Sequence, residues 1–275
     1  MHIFRVEVKE AHIIKTLAET LQGYLKEGCL VCKSTGIYLK GVDSKVHYLV
    51  DIEIPAEGFT SYRVPPEGIN IGLNLLHFYK LVKSIKKKDE LMMYIDEKEP
   101  NKLGIKIIQP GESMSTVKHI NILKLNPTDV DIPDGYLNPI VSTNKEFQKL
   151  KTLNKMSKFI KVTFYDRKIE FFSDRENVYD ALVPFGKELE EDEVDLKTDK
   201  QNQSFDSDPI NRLVKMGCLS NIIQLYPHNS LPLKFKLISS LVKFAIYIKS
   251  KDQQSEADND KEVVMSEMVV ENEKE

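Results

Sequence analysis

Cysteine and histidine, the residues that most often carry catalytic or metal chemistry, are few here and lie apart from one another. Cys29 and Cys32 have the spacing of half a zinc site, but no second ligand pair accompanies them, and on a strand residues three apart point to opposite faces. No glycine-rich phosphate loop or two-histidine helical metal motif occurs. We therefore expect a binding protein that is not an enzyme, with no metal and no cofactor. The cysteines are interpreted as buried thiols.

Lysine is the charged residue whose spacing stands out. Lys80, Lys83 and the run 86–88 place five lysines on one predicted helix and its trailing turn, and Lys149, Lys151 and Lys155 lie on another. Such a cluster is most often a solvated helix face. It can instead contact the phosphates of a nucleic acid, each lysine acting as a mobile point charge.

A polar, extended segment at 125–136 contains two prolines, one glycine and three aspartates. Proline lacks a donor for a strand ladder and restricts the residue before it, so neither a regular strand nor a helix is expected. Val130 and Ile132 nevertheless place apolar side chains in this segment. Two interpretations are possible: the segment is a spacer that packs back on its own domain, or it forms one side of a groove for partner peptides.

Periodicity predicts the elements that must position these residues. Apolar residues at helical spacing predict helices over about 10–25, 74–86, 144–158 and 209–219. Alternating stretches predict strands between them, among them 117–125, 178–184, 222–226, 233–238 and 242–248. The segment 188–208 holds nine acidic residues and almost no apolar ones, which predicts a mobile surface loop.

Two landmarks repeat at nearly one offset. The basic-Leu-Val-Lys tetrads at 80–83 and 212–215 lie 132 residues apart, and the strand pairs 29–43 and 160–174 end in aspartates 131 residues apart. Either match alone is weak, but two at one offset indicate a duplicated domain. The predicted boundaries are 1–124 for the first domain, 125–137 for the connecting loop, 138–251 for the second domain and 252–275 for an acidic, disordered tail.

Composition sets further bounds. The chain has 275 residues, 41% of them hydrophobic, which suits two medium domains with buried cores. Neither a secretory signal pattern nor an apolar run near 18 residues occurs, so we expect a soluble chain without membrane partners. Net charge is −3, but leaving out the nine acidic and two basic residues after Lys251 leaves 33 acidic and 37 basic residues, a mildly basic body. The odd cysteine count favours a reducing compartment.

These residues resemble the proliferating cell nuclear antigen family of sliding clamps over about residues 3–251. The most specific part is Glu57-Gly58-Phe59-x-x-Tyr62-Arg63 followed by 72–75, which is similar to the family's EGF-x-x-YR and G-V-N-L pattern with one extra residue between them. Leu39-x-x-Val42-Asp43-Ser44 resembles the family's L-x-x-M-D-S, Asp131-Ile132-Pro133 its connecting-loop G-I-P, and 231–233 its V-P-L.

The resemblance implies an α+β DNA-clamp fold, with two tandem similar domains, antiparallel sheets outside and two helices per domain lining a ring. Three subunits would close head to tail, with 117–125 of one meeting 178–184 of the next. The helices would face double-stranded DNA without reading its sequence. The DNA-facing residues implied are Lys15, Lys80, Lys83, Lys149, Lys151, Arg212 and Lys215.

The resemblance also implies a partner-peptide groove for DNA polymerase, the clamp loader and other proteins that carry short binding boxes. The groove residues implied are Val42, Val130, Ile132, Pro133, Pro232 and Tyr247. Val42 stands where the family often has methionine and Ser250 where proline is usual, which predicts different partner sequences. Thr16 and Gln22 replace family lysines, so the first helix should contribute less charge.

Two other functions are consistent with the sequence. A heterotrimeric checkpoint-type clamp subunit would share the fold, and a virus-encoded relative can act as a monomer or dimer. A non-ring polymerase accessory subunit would bind DNA on one basic face. The expected location is the nucleus, or a viral replication site for a virus-encoded chain.

Overall fold

The computed structural model describes residues 2–111, 115–165, 167–175, 178–187 and 199–255. The first half contains β1 His2–Val8, α1 Ala11–Leu21, β2 Glu27–Lys33, β3 Gly36–Val42, β4 Tyr48–Pro55, β5 Ser61–Arg63, β6 Ile69–Asn74, α2 Leu75–Val82, β7 Glu90–Asp96, β8 Lys102–Ile108 and β9 Thr116–Asn121. The second half contains β10 Ile140–Thr143, α3 Asn144–Phe147, β11 Phe159–Tyr165, β12 Arg167–Arg175, β13 Tyr179–Lys187, β14 Gln201–Asp206, α4 Ser207–Leu213, β15 Ile222–Tyr226, β16 Leu233–Ile238 and β17 Lys243–Ile248.

Three antiparallel sheets carry the architecture. A five-stranded sheet has the order β5-β1-β7-β8-β9, and a four-stranded sheet has the order β13-β12-β11-β14. Between them an eight-stranded sheet, β10-β15-β16-β17-β4-β3-β2-β6, takes four strands from each half of the chain. Its middle is the pair β17–β4, in which Lys243 lies opposite Glu53 and Ile248 opposite Tyr48. The two halves are therefore joined by a continuous ladder as well as by the loop between them.

Strand order repeats between the halves. The arrangement β1-β7-β8-β9 recurs as β10-β15-β16-β17, and β4-β3-β2-β6 recurs as β13-β12-β11-β14. In both halves a helix follows the first strand of one arrangement and another helix follows the last strand of the other. The helices pack on the buried faces of the sheets, where Phe4, Phe147, Phe171, Phe205 and Phe244 are among the largest fully buried side chains.

The third predicted helix is wrong in type and length. The α-helix ends at Phe147 and a 3-10 helix, Gln148–Leu153, continues it. The inward residues Phe147, Leu150, Leu153 and Met156 recur every third position, which matches the three residues per turn of a 3-10 helix. Thr143 begins the segment with a capping box, because its hydroxyl accepts from Glu146 N–H while Glu146 accepts from Thr143 N–H.

The other predicted helices end earlier than the pattern suggested. Turns follow α1 at Leu21 and α2 at Val82, and α4 gives way to a 3-10 helix, Met216–Leu219. Apolar residues beyond each end, such as Tyr24 and Ile85, are still buried and so extended the apparent helical pattern. Asn74 caps the N-terminus of α2, because its side chain accepts a hydrogen bond from His77 N–H.

The predicted loop at 188–208 is wrong at its C-terminal end. Residues 201–206 form β14, which pairs with β11 along its length, and Phe205 from this strand is fully buried. A single apolar residue among glutamine, asparagine and aspartate gave too weak an alternation to reveal a strand. Residues 188–198 of that prediction lie outside the described residues, as do 256–275 of the predicted tail. The prediction of disorder is wrong for residues 252–255 at the start of that tail, which belong to a helical turn over 251–255.

Cysteine chemistry is limited by burial. Cys29 and Cys32 are free and buried, as interpreted from sequence, and burial raises the pKa of the Cys32 thiol to about 12. The described part of the chain holds no group of three or more histidine, cysteine, aspartate or glutamate side chains that could bind a metal ion. None of its helices is long and apolar enough to cross a bilayer.

Candidate nucleic-acid interface and partner groove

The helices of the two halves form one layer. α1 packs against α2, and also against the 3-10 helix Met216–Leu219 of the second half. The buried Tyr24 hydroxyl donates a 2.5 Å hydrogen bond to the carbonyl oxygen of Pro209 at the start of α4. Burial raises the pKa of Tyr24 well above its usual value. The helices therefore hold their charged side chains on one connected surface.

Four of the seven predicted DNA-facing residues are exposed cations. Lys80 and Lys83 lie on and just beyond α2, and Lys149 and Lys151 lie on the 3-10 helix that continues α3. Among the described residues, none of these four amines has an ion-pair partner within 4.0 Å. They remain available to an external anion such as a phosphate.

The other three predicted residues contact their own chain. The Lys15 amine donates a 2.7 Å hydrogen bond to Ile85 O, which ties α1 to the end of α2. Arg212 donates to Gly23 O and lies 3.9 Å from the Asp208 carboxylate. Lys215 forms a 2.6 Å ion pair with Glu19 on α1. Arg212 and Lys215 link the two halves and lie near carboxylates, so their charge is partly balanced before any ligand arrives, whereas Lys15 joins two elements of the first half.

A second, smaller apolar cluster lies apart from the main core. Leu49, Ala245 and Tyr247 are its buried members, and Val42, Val130, Ile132 and Tyr136 pack against them. Four of the predicted groove residues, Val42, Val130, Ile132 and Tyr247, thus come together. Pro133 is half-buried beside Ile132 but is not a member of this cluster. The partly buried Pro232 is joined to the cluster through its carbonyl, which accepts a 2.6 Å hydrogen bond from the Tyr136 hydroxyl.

One cross-strand row positions these residues. Val42 of β3 lies opposite Leu49 of β4, Leu49 opposite Tyr247 of β17, and Tyr247 opposite Lys234 of β16. Tyr226 of β15 ends the row opposite Lys234. Directly opposed residues of antiparallel strands share one face, so the five side chains form a continuous band across the junction of the halves.

Several residues of this band and cluster were not predicted. Leu49, Ala245, Tyr136, Tyr226 and Lys234 complete the surface. Because side chains alternate along β17, Ala245 lies on the same face as Tyr247, and the sequence alone could have indicated Ala245. Tyr136 was noted only as the end of the polar segment. The row through Lys234 depends on the strand order across the halves, which local sequence does not contain.

Two of the edge strands, β9 and β13, carry exposed apolar side chains. β9 ends the five-stranded sheet and β13 ends the four-stranded sheet, and neither has an outer strand neighbour in the part of the chain that the structure describes. Val117 on β9 is 44% exposed, and Leu182 on β13 is 53% exposed. Exposed edges with apolar side chains are surfaces to which another strand adds readily.

Comparison with known proteins finds one family throughout. Residues 3–132 match the family model "Proliferating cell nuclear antigen, N-terminal domain". The proliferating cell nuclear antigen of Caenorhabditis elegans is 23% identical over 237 residues, covering 84% of this chain and 89% of the relative. A probable DNA polymerase sliding clamp of Paramecium bursaria Chlorella virus 1 is 19% identical over 243 residues, covering 85% and 91%.

The fold comparison agrees with these matches. The crystal structure of proliferating cellular nuclear antigen from Entamoeba histolytica superposes with a TM-score of 0.77 at 18% identity, covering 91% of this chain and 100% of that one. Together these matches support a diverged sliding clamp of the proliferating cell nuclear antigen family. The α+β two-domain clamp fold expected from sequence is confirmed.

Ser250, at the position where the family resemblance predicts proline, is held by three hydrogen bonds. Its N–H donates a 2.9 Å hydrogen bond to the Gln253 side chain, its hydroxyl accepts from Gln253 N–H, and its carbonyl accepts from Gln254 N–H. Proline has no N–H to offer the first of these bonds. After Ser250 the chain forms the helical turn 251–255, and the Gln253 side chain of this turn donates a hydrogen bond to Ser230 O.

Proposed function

We propose that this chain is a non-catalytic DNA sliding clamp that closes as a homotrimeric ring around duplex DNA. In this role it is a polymerase processivity factor, acting in the nucleus or at a viral replication site. The ring holds DNA by encirclement, and partner proteins dock in the groove beside the connecting loop. The polymerase and the clamp loader are the expected partners.

The pairing β17–β4 is the observation that carries the proposal. It joins the last strand of the β10-β15-β16-β17 arrangement to the first strand of the β4-β3-β2-β6 arrangement. The counterparts of β17 and β4 in the other arrangements are β9 and β13, each of which lies at one edge of its sheet. A second copy that repeats the internal junction pairs β9 with β13, and each subunit keeps one edge of each kind for the next. Such a head-to-tail contact closes into a ring when its rotation repeats a whole number of times.

The internal register also predicts the register between subunits. The two halves can be aligned at the starts of their corresponding helices, and the ladder partners can then be followed from strand to strand. This alignment matches Val117 with Ala245 and Leu182 with Asp51. Ala245 lies opposite Asp51, so Val117 of one subunit should lie opposite Leu182 of the next. By the same match His119 should lie opposite Asp180. The exposed apolar pair would be covered, and an imidazole would face a carboxylate.

The helix surface suits sequence-independent binding to DNA. Lys80, Lys83, Lys149 and Lys151 are exposed without ion-pair partners in the described chain. Lysine interactions with phosphates carry no sequence information, and because they break and re-form along the duplex they permit sliding. Encirclement supplies retention, so a few such interactions per subunit are enough.

The apolar band from Val42 to Tyr226, with the connecting-loop residues Val130 and Ile132 along it, supports partner docking. Burial of an apolar plug there contributes roughly 25 cal/mol per Å² of apolar area. Aromatic anchors dominate such interfaces.

Light scattering over a range of protein concentrations tests the proposal. The expected mass is three times the 31.6 kDa of one chain at concentrations well above the dissociation constant. A mass of one chain at every concentration contradicts the self-assembling ring and favours a subunit of a mixed clamp or a face-binding accessory subunit. A mass of two chains contradicts threefold closure.

A further inference from the structure

Lys234 has an unusual position beside the groove. Its amine lies 4.9 Å from the ring centroid of Tyr136, 4.9 Å from that of Tyr226 and 5.2 Å from that of Tyr247. The three rings belong to the connecting loop, β15 and β17, and the Tyr136 centroid is 6.0 Å from each of the other two. A cation over an aromatic face is attracted by the ring quadrupole, and three faces share this one.

No carboxylate pairs with this amine within the described residues. Asp51 and Asp134 act on it electrostatically, but neither comes within 4.0 Å of it. Burial lowers the pKa of the Lys234 amine, with the neighbouring Lys236 adding to the effect. The Lys234 amine is partly desolvated, and its contacts with the tyrosine rings do not satisfy its N–H donors. Those donors therefore remain available to an acceptor on a ligand.

The amine belongs to the groove surface. Lys234 occupies the same cross-strand row as Tyr247, Leu49 and Val42, directly opposite Tyr247. Tyr136, one of the three rings, also packs against the apolar cluster and donates to Pro232 O. A peptide seated on Val42, Leu49 and Tyr247 therefore passes next to a cation held at a fixed point.

We propose that Lys234 is a specificity determinant of the groove, selecting partner segments that place a carboxylate next to their apolar plug. This inference rests on the groove docking proposed above. The occupant is a peptide with an aspartate or glutamate beside its aromatic residues. A carboxylate on an ammonium forms a charge-assisted hydrogen bond, roughly twice as strong as a neutral one.

The same geometry excludes the opposite charge. Lys234 already lies over the faces of Tyr136, Tyr226 and Tyr247, so the rings cannot hold a lysine or arginine of a partner in addition. A partner cation at this point is also repelled by Lys236 and Lys40. These two lysines lie in the neighbouring cross-strand row, in which Asp51 is the one carboxylate against two amines. Attraction for one charge and repulsion for the other together produce specificity.

Peptide binding to the full chain tests the inference. The probes are fluorescein-labelled peptides with a plug of aliphatic and aromatic residues, and a single glutamate scanned along the flanking positions. Each has a matched peptide with glutamine instead. We expect one position at which glutamate binds about fivefold to tenfold more tightly than glutamine by fluorescence anisotropy, with the difference shrinking as salt is added.

Two variants assign the effect. Lys234→Met keeps a long apolar side chain over the tyrosines and should make the glutamate and glutamine peptides equal. Lys106→Met removes a lysine charge from β8, a strand of the five-stranded sheet outside the tyrosine cluster, and should leave the preference in place. Thermal unfolding of both variants verifies that they are folded.

The outcomes separate this inference from the groove itself. If glutamate gives no advantage at any position, or if the advantage persists in Lys234→Met, Lys234 only fixes the connecting loop through its ring contacts and the inference is wrong. If every peptide binds and Val130→Asp abolishes the binding, docking in the groove is supported whether or not Lys234 contributes to specificity. If no peptide binds the unaltered chain, groove docking itself is contradicted.

Discussion

At the scale of single residues, the helix surface is less basic than a count of its cations suggests. Lys215 is paired with Glu19, Arg212 donates to Gly23 O, and Lys15 donates to Ile85 O. The cation is retained in each case, but part of its hydrogen-bonding capacity is already used. Glu19 is the partner whose removal changes this balance most directly.

Glu19→Gln should strengthen DNA binding. The change releases the Lys215 amine and adds one positive charge per chain to the helix surface, so affinity for a short duplex should rise about twofold to fivefold at low salt. Fluorescence anisotropy with labelled duplex measures it. The matched control is Glu53→Gln, which breaks a similar 2.8 Å ion pair with Lys243 on the sheet. An equal rise in both variants would reflect overall charge and contradict binding through the helices.

Buried tyrosines predict loss of stability in alkali. Burial raises the pKa of Tyr48 and of Tyr247 to about 12, from an ordinary value of 10.0. Because the folded state holds these protons more tightly, their contribution is complete below about pH 10 and is lost as the pH rises towards 12. Urea midpoints should fall over this range, and Tyr247→Phe should show a shallower fall. Midpoints that stay constant to pH 11 would contradict the assignment.

At the scale of elements, strands were more accurately predicted than helices. The bounds of β15 and β16 agree with the sequence pattern because each alternates cleanly between buried and exposed residues. The third helix was wrongly predicted as a long α-helix, because apolar residues three positions apart are compatible with both an α-helical stripe and a 3-10 helix. β14 was missed because its partner strand, rather than its own apolar residues, defines it.

An edge-strand variant tests the open edges. In the proposed ring, Leu182→Lys places an amine opposite Val117 and should weaken self-association by about tenfold or more, since each factor of ten corresponds to about 1.4 kcal/mol. Ile238→Lys is the control, because Ile238 is 51% exposed but lies on β16, which has neighbours on both sides. Light scattering should show monomer only for Leu182→Lys. Equal behaviour of the two variants would remove β13 from the interface.

At the scale of the whole molecule, the shared eight-stranded sheet decides how the candidate sites are assembled. It carries the groove across the internal junction, while the helices of both halves contribute lysines to one layer. The sequence predicted four members of the apolar cluster through the family resemblance. It could not predict Leu49, whose ladder partner Tyr247 lies in the opposite half, or Lys234, whose role arises from ring contacts with three separate elements.

Salt dependence measures how many phosphates the whole assembly neutralises. Lys149→Gln with Lys151→Gln should weaken duplex binding and reduce the slope of log affinity against log salt, by about 0.9 for each phosphate that is no longer neutralised. Lys106→Gln with Lys161→Gln is the control, since both lie on strand faces opposite the core. Anisotropy titrations at several salt concentrations supply the slopes. A slope that changes equally in both variants would exclude specific binding through the helices.

The pairing of β4 with β17 also determines when the molecule can finish folding. Lys243 and Glu53 lie opposite each other in this ladder, although 190 residues separate them in the chain. At a synthesis rate of about 5–20 residues per second, β4 waits on the order of 10–40 s for its partner to leave the ribosome. During that time it is a bare strand edge that another nascent chain can occupy. Aggregation during expression should therefore depend on the speed of translation through the second half, and slow codons after residue 125 should increase it.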